Sequence, residues 1–147
     1  MKKYIYAFAM VIIMFSITGC TSEQRLMKSY QKNMENFFTN VEEINNRINS
    51  VDPTQNENYS EDFLDLMDDL ELQFSLMSRF EVPKTFEGLE ELSDECYSNL
   101  SNADTHFHLA YDKSYNIEEE EIAYKYYIKA NSQLKEMIKI LHEEANK

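Results

Sequence analysis

LMKSYQKNMENFFTNVEEINNRINSV, residues 26–51, decides the fold. Its apolar residues are Leu26, Tyr30, Met34, Phe37, Val41, Ile44, Ile48 and Val51, at steps of 4, 4, 3, 4, 3, 4 and 3. Steps of that size keep every apolar side chain on one side of an α-helix and cannot do so on a strand. The spacing predicts a helix over 23–50, ended by Asp52-Pro53, because the residue before a proline avoids the helical region. The stretch DPTQNENYS, 52–60, reads as a loop, and Ser60 as the N-cap of a second helix opened by Glu61 and Asp62.

The same period recurs downstream. Phe63, Met67, Leu70, Phe74 and Met77, widened by Leu66, Leu72, Leu76 and Phe80, predict a second helix over 61–80, ended by Val82-Pro83. Phe86, Leu89, Leu92, Cys96, Leu100, Ala103, Phe107 and Ala110 predict a third over 84–114. After a turn at Asn116, Ile122, Tyr126, Ala130, Leu134, Met137 and Leu141 predict a fourth. That helix opens with acids, Glu118 to Glu121, and carries Lys135, Lys139 and Lys147 toward its end, the order the helix dipole favours. Four amphipathic helices on short connections predict an all-α, antiparallel up-down-up-down four-helix bundle.

Composition agrees. The chain has 147 residues with only 2 Gly and 2 Pro, too few for sheets joined by tight turns. Its 43% hydrophobic and 13% aromatic content suits one packed domain. The net charge is −13, and residues 57–95 hold 13 acids against two bases, Arg79 and Lys84. A surface so acidic repels nucleic acid. The belt reads as a solvated face, or as a docking face for a basic partner or a site of weak divalent-cation binding.

The first twenty residues, MKKYIYAFAMVIIMFSITGC, stand apart. Lys2 and Lys3 precede an apolar run from Tyr4 to Phe15, shorter than the roughly 20 residues that span a bilayer. Ile17-Thr18-Gly19-Cys20 follows and resembles the lipobox of bacterial lipoproteins. The resemblance implies a diacylglyceryl group on the Cys20 thiol, cleavage before Cys20, and recognition of Ile17, Thr18 and Gly19 by the lipoprotein signal peptidase. Two acyl chains, at about 0.8 kcal/mol per buried CH₂, hold a protein on a membrane where one is marginal. The expected organisation is therefore a signal peptide over 1–19, a lipidated tether over 20–25 and an acidic bundle over 26–147. Its place is the extracytoplasmic side of the cell membrane, with the Cys20 lipid as its sole cofactor-like group.

The expected domain offers little chemistry. Gly88 is its one glycine, so no Gly-rich phosphate cradle exists, and no nucleophile elbow or Cys-x-x-Cys-His haem motif appears. Cys96 falls between Leu92 and Leu100 on the apolar face, where it packs as a small hydrophobe. His106 and His108 point apart on a helix, whereas His108 and Asp112, four apart, can share a ligand; no metal motif is complete, and no metal centre is expected. Tyr111, Tyr115, Tyr124, Tyr126 and Tyr127 crowd the turn between the last two helices. Tyr126 and Tyr111 read as core, and Tyr115, Tyr124 and Tyr127 as a candidate binding patch. With the passage Arg79-Phe80-Glu81-Val82-Pro83-Lys84-Thr85-Phe86 turning into a long helix, the domain resembles small all-helical lipoproteins of Gram-positive bacteria. The expectation is a non-enzymatic envelope protein that binds another protein, with a small-ligand or cation-binding lipoprotein as the alternative.

Overall fold

The computed structural model describes residues 22–51, 58–86, 88–112 and 114–145. Cys20 and the lipobox, with the rest of 1–21, lie outside the described residues. The elements are α1 (Ser22–Ser50), α2 (Tyr59–Met77), a 3₁₀ turn (Lys84–Phe86), α3 (Leu89–Tyr111) and α4 (Ile117–Ala145), with no strand among the described residues. No described helix is long and apolar enough to cross a membrane.

Each helix runs against its predecessor, which cross-helix partners show directly. Between α1 and α2, Phe37 meets Phe74 edge-on at 5.2 Å, and Arg47 lies 3.7 Å from Asp69. Between α2 and α3, Phe63 meets Tyr111 at 5.8 Å, and Asp68 meets His108 at 3.0 Å. Between α3 and α4, the Asn99 amide donates to Gln133 at 2.7 Å, and Phe107 meets Tyr124 at 5.2 Å. As numbers rise on one helix they fall on its neighbour, so the chain is an up-down-up-down bundle.

The core lies where the period places it. Tyr30, Met34, Phe37, Val41 and Ile44 of α1 face Phe63, Met67, Leu70, Phe74 and Met77 of α2. Leu100 and Phe107 of α3 and Leu134, Met137 and Leu141 of α4 complete the apolar interior. Edge-to-face rings such as Phe37–Phe74 add about 1 kcal/mol beyond their buried area.

The α3–α4 seam is built differently. Ser93, Cys96, Ala103 and Ala110 of α3, with Ala123 and Ala130 of α4, are all buried. Side chains this short let the two backbones approach closely. The Cys96 thiol donates across the seam to the Ala130 carbonyl at 3.2 Å. In contrast, among the described residues α4 does not run closely packed along α1. What bridges them is the Tyr127 hydroxyl, donating to Asn45 Oδ1 at 3.3 Å, and the 3₁₀ turn, whose Phe86 lies 5.7 Å from the Tyr30 ring and which also touches α4.

Several boundaries differ from the sequence expectation. The segment 22–25, part of the expected tether over 20–25 and, from residue 23, of the expected helix over 23–50, is the first turn of α1, and Glu23 accepts a hydrogen bond from the Lys84 amide at 2.9 Å. Helix α2 begins at Tyr59, so Ser60 is inside it and Asn58 holds the cap position. Helix α2 ends at Met77 rather than 80, because Arg79 and Phe80 bond to the carbonyls three residues back, Leu76 and Met77, and tighten the chain out of the helix. The third helix starts at Leu89, not 84, because Gly88 sits at φ 94°, a left-handed conformation that glycine adopts freely. That residue separates the 3₁₀ turn, whose Phe86 fills the core, from α3. Leu72 and Leu76, expected to widen the buried face of α2, are exposed.

Candidate functional site

The expected tyrosine patch resolves into an inner network and an outer surface. The centre of the network is Glu120, a buried carboxylate in the first turn of α4. The Asn116 side-chain oxygen accepts from the Glu118 amide at 3.1 Å, capping this helix, and the Glu120 amide donates to the Asn116 carbonyl at 3.1 Å. The carboxylate then accepts one hydroxyl from Tyr111 and another, at 2.5 Å, from Tyr115. Burial, reinforced by that bond, holds the Tyr111 phenol well above its ordinary pKa. Burial first, then the charge of Glu120, pushes Tyr124 up to about 12. Both phenols stay protonated at neutral pH, and the hydroxyls of Tyr111 and Tyr115 are donors locked onto the one carboxylate.

The outer surface is more open. Tyr115 is 59% exposed, Ile117 58%, Tyr124 43% and Ile128 65%. Ile117, Tyr124 and Ile128 are spaced by seven and four, so they fall within about 40° of one another around α4. Tyr115 flanks them from the turn before the helix. Glu118 and Glu121 border the stripe.

Of the three tyrosines singled out from sequence, Tyr115 and Tyr124 stand on this surface and Tyr127 does not. Tyr127 is half-buried and turns toward α1, where its hydroxyl reaches Asn45. Sequence reasoning missed Ile117 and Ile128, because an aliphatic residue in an amphipathic helix reads first as core. Their phase, roughly a third of a turn or more from the buried Ala123, Ala130 and Leu134, was the available signal.

The histidines separate as their spacing requires. His106 faces α4, with Nδ1 donating to Glu119 at 2.6 Å and its ring stacked on Tyr126 at 5.7 Å. His108 faces α2 and lies among carboxylates. His142 is half-buried near the end of α4. Cys96 is buried, and burial pushes its thiol up to about 12.

Compared with known families, curated proteins and solved structures, the chain matches none.

Proposed function

We propose that this chain is a lipoprotein held on the extracytoplasmic face of the cell membrane by a diacylglyceryl group on Cys20, and that its bundle docks another envelope protein without catalysing a reaction. The observation that carries the docking role is the patch of Ile117, Tyr124 and Ile128 exposed on one side of α4, with Tyr115 exposed beside them in the preceding turn. Exposed aromatic and aliphatic side chains gathered in one patch are the usual energetic centre of a protein interface. Glu118 and Glu121 at its border favour a partner with an apolar centre and a basic rim.

The position of the stripe fits the anchor. Only Thr21 separates Cys20 from the start of α1 at Ser22. With 29 residues, α1 is about 43 Å long. Because the helices alternate in direction, Tyr115 and Ile117 lie at the end of the bundle opposite Ser22. A lipid on Cys20 puts the stripe on the side away from the bilayer, which makes a protein its occupant rather than lipid.

The test is in-cell crosslinking from a photoreactive residue at Ile128, with mass spectrometry of what is captured. The expected result is one stoichiometric protein partner, lost in Tyr124→Asp and in Cys20→Ala, the latter also losing incorporation of a palmitate analogue. Labelling that persists in Cys20→Ala sinks the anchor. Capture that is absent, or unchanged by Tyr124→Asp, sinks the docking role.

A further inference from the structure

We propose that Asp68 of α2 with Asp104 and His108 of α3 form a binding site for one divalent transition-metal cation, which joins the two helices. His108 Nε2 lies 3.0 Å from Asp68 Oδ1 and 4.0 Å from Asp104 Oδ1. One donor atom from each residue falls within 4.8 Å of the others. Ligands at about 2.0–2.2 Å from a shared ion stand roughly 3 Å apart when adjacent and roughly 4 Å apart when opposite. The three atoms need only a small shift of the exposed Asp68 carboxylate to meet that geometry.

Two further observations distinguish this group from the acidic surface around it. The first is Asp104. Its side chain is 16% exposed, and its Oδ1 atom is fully buried with no hydrogen-bond partner among the described residues. Buried carboxylate oxygens without partners are costly, and this one lies beside the imidazole. Burial, with the charge of Asp68 adding to it and that of His108 opposing, pushes the Asp104 carboxyl up to about 6. A cation coordinated at Oδ1 removes both penalties.

The second is the orientation of the imidazole. His108 Nδ1 lies 3.2 Å from Asp112 Oδ1 and 3.4 Å from Oδ2. With Nδ1–H donating to Asp112, the Nε2 lone pair is left for the metal, the outer-shell arrangement by which carboxylates orient histidine ligands. Cation binding then releases the proton that Nε2 otherwise shares with Asp68. One imidazole nitrogen and two carboxylate oxygens suit zinc, manganese or cobalt rather than an all-oxygen calcium site. Asp68 faces solvent, so water completes the coordination.

The experiment titrates the full-length protein in detergent with Zn²⁺ by calorimetry and with Co²⁺ by absorption, at pH 7.5. Expected are one equivalent bound, a rise in melting temperature with Zn²⁺, and retention of Zn²⁺ in millimolar Mg²⁺. Asp104→Asn and His108→Gln each weaken binding roughly tenfold or more. Asp94→Asn, exposed on α3 away from the cluster, leaves it unchanged. Circular dichroism of Asp104→Asn shows that its loss of affinity is not a loss of fold. No saturable one-to-one binding overturns the proposal, as does binding that survives His108→Gln or is displaced by millimolar Mg²⁺.

Discussion

Asp104 carries a charge that the metal-free fold is better without. Its carboxyl is raised from 3.8 to about 6, so the folded chain favours the protonated form. A group shifted this way supports folding below its unfolded value, and that support is lost as pH rises from about 4 through about 6. His108 acts in the same direction. Burial lowers its pKa, but hydrogen bonds to Asp68 and Asp112 and the charge of Asp104 outweigh burial, and the net shift is upward. Its contribution is full below the unfolded value of 6.5 and fades as pH rises through the higher folded value. In chelator-treated protein, Asp104→Asn should match the parent near pH 4 and exceed it by about 1–2 kcal/mol at pH 7.5, allowing for solvent screening. Paired urea melts at the two pH values measure this, and a destabilised variant at pH 7.5 would show that the carboxylate is already satisfied. None of this was readable along the chain, because Asp68 and His108 are 40 residues apart. Only the pairing of His108 with Asp112, one helical turn on, was visible in the sequence.

At the scale of elements, the helices were legible and their joints were not. Period alone places α1 within one residue of its start. The break at Gly88 was masked because Phe86, Leu89 and Leu92 keep helical spacing straight across it. The close α3–α4 seam was also hidden. Serine, cysteine and alanine contribute little to an apolar pattern, yet here their smallness sets how near two helices come. Replacing Ala130 with Leu should therefore cost about 1–3 kcal/mol, since a longer side chain must push the seam apart. The same change at Ile128, two residues earlier and 65% exposed, should move stability by less than about 0.5 kcal/mol. Thermal denaturation of Ala130→Leu and Ile128→Leu decides it, and equal melting temperatures would mean that the seam is loose.

For the whole molecule, the bundle is closed unevenly. Helices α3 and α4 are joined along their length by buried small residues and by the ladder in which Gln133 accepts from Asn99 and donates to Glu95 at 2.8 Å. Helix α1 is held by α2 on one side and by the 3₁₀ turn and the Tyr127 hydroxyl of α4 on the other. Local opening follows the density of buried contacts. Backbone amides of α1 should exchange with deuterium faster than those at the centres of α3 and α4, by a factor of roughly ten or more. Uniform protection across the four helices would contradict this. On the proposed Cys20 anchor, the unevenness would be mechanical. A pull transmitted through Cys20 enters the domain at Ser22, at the tip of the least secured helix. It loads that helix along its axis, in shear against α2, so the contacts of the α1–α2 face resist together, and a partner held on α4 would pass the same tension on through the α3–α4 seam.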